Sequence, residues 1–437
     1  MLALIVFFVA FLLLAFCRIP VGFAIIGGGM IGYAIGGINM ASIPSALFAG
    51  LDSFPLLAIP AFILSGDLMA QGGISSAIMN FFRAVFSRIR GSMGAVLVFT
   101  CMLFGAICGS SVATVSAIGG IMLPEMAKSG YDKRYTTALI SAAGFLGILI
   151  PPSMMLVLMG SYAQVSVGQL FSAALVPGLA LSACYVIYIL VQCNRHPDWG
   201  PGMSEEEANA LTWGIKLRNC AINLIPPLIL IVAVLGSIFT GWATPTEASS
   251  VGAFAAMILC VCYRKFTLEM LHNAVLDTAK TTAMCFVIVF GANAFSSAFL
   301  GMGGAELVTD IVNALGLSGM GVFAVMLVIA FILGCFIDWI GIVMILFPIF
   351  LPILDTYGFD RLYVVATCAV LLQTCFLTPP FGFSLFYLNG LKLPGVTLGH
   401  IYKGIIPFVI IIVFITALCV LFPNVMYALA YSGQVAA

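Results

Sequence analysis

The stretch P-E-M-A-K-S-G-Y-D-K-R-Y, residues 124–135, is echoed 228 positions later by P-I-L-D-T-Y-G-F-D-R-L-Y, residues 352–363. Pro124 and Pro352, Gly130 and Gly358, Asp132 and Asp360, and Tyr135 and Tyr363 all keep that offset. So do Pro151-Pro152 and Pro379-Pro380 further along, and the match runs without a gap. Outward from there the echo weakens: Gly105 answers Gly334, Gly72-Gly73 answers Gly303-Gly304, and the offset drifts by one to three residues. A duplicated half is the economical explanation. In an apolar chain, duplicated halves that meet at paired helix breaks point to a transporter and to the place of its site.

Composition sets the class. With 63% hydrophobic and 7% charged residues over 437 positions, the chain cannot cover a water-soluble globule with a charged skin, and it reads as an all-α polytopic membrane protein whose solvent is the lipid bilayer. The 16 basic and 16 acidic residues cancel, which gives no reason to expect a nucleic-acid partner. The 13 cysteines are scattered through apolar runs without the spacing of a zinc or haem motif, and read as small buried hydrophobes. Met1 to Cys17 is apolar but lacks a basic leader, so it is expected to be a retained first span.

Apolar runs long enough to span fall at about 2–17, 20–37, 54–71, 136–165, 170–193, 221–240, 246–263, 281–299, 363–391 and 398–423, about ten crossings. Two more, 92–127 and 320–357, carry Cys108-Gly109-Ser110-Ser111 and Asp338-Trp339-Ile340-Gly341 in their middles and read as re-entrant hairpins or paired short spans. Either option returns the chain to the side it left. With both termini outside, 15 of the 16 basic residues fall inside and only Arg361 falls outside, as the positive-inside rule requires. The G-Y-D loop is then inside and its G-F-D copy outside, so the two repeats are expected to be inverted. The first covers 1–193 and the second 220–437, joined by a cytoplasmic linker at 194–219; each holds an interfacial arm, at about 74–90 and 305–317.

Proline donates no backbone hydrogen bond, so Pro-Pro within a span frees carbonyls that lipid cannot satisfy; such a break survives where it lines a protein-enclosed cavity. Gly144, Gly147, Pro151, Pro152 and Ser153 in one half, and Thr374, Thr378, Pro379, Pro380, Phe381 and Gly382 in the other, supply carbonyls and hydroxyls. Several neutral oxygens with few charges suit sodium. The tip Gly109-Ser110-Ser111, with Thr114, offers hydroxyls and helix amides that can face an anion. Asp338 is the other tip's acidic group, and a carboxylate at such depth is a functional-site candidate. The bland alternatives are a simple kink at Pro-Pro, hydroxyls bonded to the preceding turn, and Asp338 paired with a structural donor. Asp67 reads as structural, and Thr244-Pro245-Thr246-Glu247 as a capping box that opens a span.

The string G-A-I-C-G-S-S-V-A-T-V-S-A-I-G-G-I-M-L-P-E-M from Gly105, with I-P-P-S at Ile150–Ser153, V-S-V-G-Q-L-F-S-A-A-L-V-P-G from Val165, T-P-T-E-A at Thr244–Ala248 and L-T-P-P-F-G at Leu377–Gly382, resembles the large membrane subunit of tripartite ATP-independent periplasmic (TRAP) transporters over nearly the whole chain. Phe381 departs from the small or β-branched residue frequent at its place, and the segment after Asp338 reads W-I-G. The resemblance implies a sodium-driven, elevator-type importer in the bacterial inner membrane. It also implies a small membrane subunit, a periplasmic binding protein and a small carboxylate substrate. Sodium ligands would come from Gly109, Ser110, Ser111, Gly144, Gly147, Pro151, Asp338, Thr374, Thr378 and Pro379. Substrate contacts would come from Ser110, Ser111, Ser153, Thr378, Phe381 and Gly382.

No G-x-x-x-x-G-K-[ST] phosphate loop occurs, so ATP is not expected as a cofactor. A stand-alone sodium/carboxylate symporter of the same architecture is the near alternative. An intramembrane protease built on Ser110 is the distant one; His196, His272 and His400 all fall at expected cytoplasmic loops or edges. Ser110→Ala is expected to weaken sodium-dependent uptake in proteoliposomes, and an unchanged sodium dependence would remove Ser110 from the ion site.

Overall fold

The duplicated turn folds the same way twice. Gly130 and Gly358 take φ of +78° and +76°, a conformation L side chains rarely adopt. Each lets the chain close the preceding helix: Tyr131 N donates to Met126 O at 3.0 Å, and Phe359 N to Leu354 O at 3.1 Å. The aspartate two residues on opens the next helix, Asp132 accepting from Tyr135 N and Asp360 from Leu362 N, both at 2.9 Å. The repeat is therefore a helix stop and a helix start in one motif.

A computed structural model describes the chain at residues 2–17, 19–49, 53–86, 90–108, 111–202, 222, 224–379, 398–424 and 426–427. Its helices, in order, are α1 (Leu2–Phe16), α2 (Val21–Gly36), α3 (Ile43–Ala49), α4 (Ala58–Gln71), α5 (Ile74–Val85), α6 (Ser92–Cys108), α7 (Ser111–Lys128), α8 (Lys133–Ala143), α9 (Leu146–Leu149) and α10 (Met154–Ala163). There follow α11 (Val167–Arg195), α12 (Ile225–Phe239), α13 (Pro245–Cys262), α14 (Leu268–Gly301), α15 (Gly304–Ala314), α16 (Gly319–Gly334), α17 (Trp339–Thr356), α18 (Arg361–Leu371) and α19 (Leu398–Leu421). Among the described residues there is no strand, and the all-α polytopic class holds.

The expected arms are helices α5 and α15, each entered through a glycine of positive φ, Gly73 at +76° and Gly303 at +75°. Backbone geometry thus pairs Gly73 with Gly303, one residue off the pairing that the Gly-Gly doublets suggest. The other member of each doublet serves packing instead. A Cβ on Gly72 would meet Cys260 Sγ at 2.6 Å, and one on Gly304 would meet the Phe299 ring at 2.4 Å.

Of the ten crossings expected, the one at 363–391 lies partly outside the described residues, and the described helices differ in length from the apolar runs. Among the described residues six stretches are long and apolar enough to cross: Phe54–Gln71, α11, α13, α14, α17 and Gly399–Leu421; a seventh arises if Lys133–Leu149 and Met154–Ala163, bent by 48°, count as one. Helices α1, α2 and α12 hold 15, 16 and 15 residues, so each extends roughly 24 Å against a hydrocarbon core of about 30 Å. Helix α14 does the reverse. Capped by Thr267, it runs 34 residues and absorbs the polar stretch 268–280 that the sequence reading left outside the span.

Helix α14 packs on α2 through glycines that bring backbones together: a Cβ on Gly291 would meet Gly22 O at 2.9 Å, and one on Gly29 would meet Phe295 N at 3.0 Å. Helix α13 turns Val251, Phe254, Ile258 and Val261 outward, a face suited to lipid. The Thr244–Glu247 capping box is present, Thr244 N donating to Glu247 Oε2 at 2.8 Å. Asp67 on α4 accepts from Thr278 Oγ1 of α14 at 3.4 Å, an interhelical tie.

The most deeply buried region lies elsewhere, over α8–α10, α17, α18 and the 3-10 segment Leu372–Phe376, where apolar side chains are covered on every side. Helices α6 and α7 lean on it, and so does α16, which leads into α17. A Cβ on Gly147 would lie 2.2 Å from Gly105 Cα, so both positions require glycine. Gly147→Val is expected to destabilise the fold by ~3 kcal/mol or more, read as a fall in the unfolding midpoint of the detergent-solubilised protein. Gly120→Ala on α7, whose Cβ meets nothing within 4 Å, serves as the control that leaves the midpoint in place or raises it.

Candidate functional site

The first break lies between α9 and α10. Helix α8 ends at Gly144, α9 adds one turn, and the chain bends through Ile150-Pro151-Pro152 before Ser153 opens α10. Ser153 repairs part of the damage. Its hydroxyl donates to Ile148 O and its oxygen accepts from Leu156 N at 3.3 Å, so it caps α10 and recovers a carbonyl that the prolines leave free. Fully buried and committed to the backbone, Ser153 is placed as a cap.

Both glycines of this break face the first hairpin. Gly147 abuts Gly105 on α6, and a Cβ on Gly144 would meet Val115 Cγ2 of α7 at 2.2 Å. Gly109 and Ser110 lie outside the described residues; Ser111 opens α7. The stems on either side of that tip are placed nonetheless, since Gly105 and Val115 both press on the break.

The second half repeats this arrangement with other residues. A Cβ on Gly334, at the end of α16, would meet Cys375 Sγ at 2.6 Å. Cys375 stands 228 positions after Gly147, so the Gly105–Gly147 contact recurs as Gly334–Cys375. Asp338 is partly buried at the tip between α16 and α17; it caps α17, its Oδ1 accepting from Gly341 N at 3.2 Å. Among the described residues no basic side chain pairs with it. It is thus a helix cap.

After α18 the chain tightens into the 3-10 segment Leu372–Phe376 and reaches Thr378-Pro379. Thr374 Oγ1 donates to Leu371 O at 2.8 Å and Thr378 Oγ1 to Thr374 O at 2.9 Å, both buried. These are bonds to the preceding turn, the bland alternative of the sequence reading, yet they do not consume the oxygens. A hydroxyl whose proton is turned backward keeps lone pairs for a cation. Pro379 is exposed, and Pro380, Phe381 and Gly382 lie outside the described residues.

The two breaks meet. Phe145 and Phe376 stack with ring centroids 4.3 Å apart and planes 14° from parallel, and Gln373 Nε2 lies 3.6 Å from Met155 Sδ. Two hairpins and two breaks, one pair from each half, therefore converge on one place. The sequence reading missed Gln373, Phe145 and Phe376. Gln373 had a signal: a lone amide in the apolar run A-V-L-L-Q-T-C-F.

This assembly touches the rest of the protein through polar contacts. Tyr162 on α10 shares a hydrogen bond of 3.0 Å with Ser296 on α14, Ser296 donates to Met344 O of α17 at 3.4 Å, and Ser161 pairs with Ser53 at 2.5 Å. Beside Pro152 a small cleft opens between the break and Phe62, Ser65, Leu230, Ile231, Val234 and Gly252 of α4, α12 and α13.

Residues 8–425 match the family model described as "Tripartite ATP-independent periplasmic transporter, DctM component". The chain is 34% identical over 396 residues, 88% of this chain and 90% of the relative, to the C4-dicarboxylate TRAP transporter large permease protein DctM of Pseudomonas aeruginosa. It is 34% identical over 361 residues to the isethionate TRAP transporter permease protein DctMQ of Oleidesulfovibrio alaskensis, covering 82% of this chain and 55% of that one. In fold it is similar to the solved structure of MtrF from Neisseria gonorrhoeae, one of a class of antimetabolite efflux pumps, with a TM-score of 0.64 at 16% identity over 88% of this chain and 84% of that one.

Asp338→Asn retains the cap, because Asn and Asp rank alike at that position, and removes only the charge. Expression and unfolding midpoint are expected to stay near wild type while transport is lost. Normal uptake by this variant would exclude Asp338 from the site.

Proposed function

Since the chain belongs to the DctM-component family of tripartite ATP-independent periplasmic transporters, a family of permeases rather than enzymes, we propose that it couples sodium entry to import of a small organic anion across the bacterial inner membrane. The observation that carries the coupling is the convergence of two breaks, each against its own hairpin, at the Phe145–Phe376 stack. In this reading sodium ions bind the oxygens of the breaks and tips: Gly109, Ser110, Ser111, Gly144, Gly147 and Pro151 in one half, and Asp338, Thr374, Thr378 and Pro379 in the other. The anion docks between Ser110-Ser111 and Thr378–Gly382, and the cations offset the desolvation of its charge before the loaded unit moves.

Movement is read as an elevator. The unit containing both hairpins and breaks slides along the remaining helices, and the Tyr162–Ser296–Met344 and Ser53–Ser161 bonds lie on the surface that must part. Charge placement supports the inverted arrangement of the halves with both termini periplasmic. A small membrane subunit extends the static part, and a periplasmic binding protein delivers the substrate. Relatives named for a C4-dicarboxylate and for isethionate support a small organic anion, a carboxylate by preference.

Uptake in proteoliposomes across a panel of small carboxylates is expected to require an inward sodium gradient, both partner proteins, and no ATP. Uptake by this chain alone would make it the stand-alone symporter. Indifference to the sodium gradient would remove the coupling.

A further inference from the structure

Gln373 belongs to none of the groups assigned above, and its chemistry is incomplete. It is 2% exposed, in the 3-10 segment of the second break, where the two halves touch. Its Nε2 donates to Ala369 O at 3.2 Å, one turn back, and lies 3.6 Å from Met155 Sδ in the first turn of α10. That bond fixes the amide's orientation, because the flipped form would set Oε1 against the Ala369 carbonyl. Oε1 is then left buried with no hydrogen-bond partner among the described residues.

A buried amide oxygen is an acceptor only, so it repels the charged head of an anionic substrate and suits either a cation or a donor hydrogen. Three features favour the cation. Met155, which meets Gln373 from the opposite half, brings only a thioether and no donor side chain. Thr374, the next residue in the chain, and Thr378 turn their hydroxyl protons backward, leaving neutral oxygens on the same segment, the ligand type hard cations select. The position is also asymmetric. Counting back 228 residues from Gln373 reaches Phe145, so the first half places a ring where the second places an oxygen.

We propose that Oε1 of Gln373 is a direct ligand for a monovalent coupling cation held at the junction of the two breaks, beyond the tips and prolines already assigned. This rests on the sodium-coupled reading above.

The test uses the complete transporter in proteoliposomes, with sodium varied at saturating substrate, comparing wild type with Gln373→Met, which removes the oxygen at similar volume, and Gln373→Glu, which keeps one. Stabilisation of the purified chain against heat by sodium chloride relative to potassium chloride is the second readout. For Gln373→Met the half-saturating sodium concentration is expected to rise about tenfold or more, the sodium-specific stabilisation to shrink, and the substrate half-saturation at saturating sodium to stay put. Gln373→Glu is expected to retain a sodium response in both readouts. If Gln373→Met does not fold, Gln373→Asn, which draws the oxygen back by one methylene, carries the same expectation. A variant sodium curve that overlies wild type overturns the proposal, as does a shift confined to substrate half-saturation, which would make Oε1 an acceptor for a substrate donor. A wild type indifferent to sodium would instead defeat the coupling reading itself, and the proposal with it.

Discussion

A backbone broken inside an apolar protein must find its hydrogen bonds within the protein, and this constraint organises the rest of the molecule. Lipid offers no substitute donors. The first break is therefore wrapped: Ser153 returns a donor to Ile148 O, and Gly144 and Gly147 admit the first hairpin to contact distance. The second break uses a 3-10 segment with threonine hydroxyls turned to the preceding carbonyls. In the second break the threonine hydroxyls are buried and keep lone pairs that their backward bonds do not use.

The close approaches have a further consequence. Where Gly105 meets Gly147, no side chain cushions the contact, so hairpin and break can separate only by moving whole backbones. The Gly334–Cys375 contact differs by one thiol, and the Phe145–Phe376 stack ties the two breaks to each other. These contacts pack hairpins and breaks into one cluster. Its polar contacts with α14 and with Ser53 are hydroxyl bonds of ordinary kind, each worth about 1 kcal/mol net, and so exchangeable.

What the sequence disclosed was local and stereochemical. Gly130 and Gly358, Asp132 and Asp360, and the Thr244–Glu247 box act through their own backbones, and all fold as their chemistry dictates. Lengths were less legible, because hydropathy reports where a chain may lie in lipid and not where a helix stops. Pro20 separates α1 from α2, while Thr267 starts α14 well before its apolar part. The Gly73–Gly303 register was hidden for a related reason: each doublet contains one glycine needed for φ and one needed for packing, and letters alone do not distinguish them. Gln373 escaped because its meaning depends on what surrounds it, and Met155 comes from the other half.

Arg361 shows how the two halves diverged without losing their common plan. It is the one basic residue that charge placement puts outside, and the structure neutralises it: Asp355 holds it through Nε and Nη2, the latter at 2.6 Å, while Nη1 donates to Ala163 O at 3.2 Å. Ala163 ends α10, so a cation sits at a helix C-terminus and completes a carbonyl there. The matching position in the first half, 228 residues earlier, is Lys133, at the start of α8. Two of the differences fall where one half touches the other, at Arg361 against α10 and at Gln373 against Met155. An interface between halves has no symmetry requirement once each half can pack its own hairpin, so chemistry specific to one side can accumulate there without disturbing the shared fold.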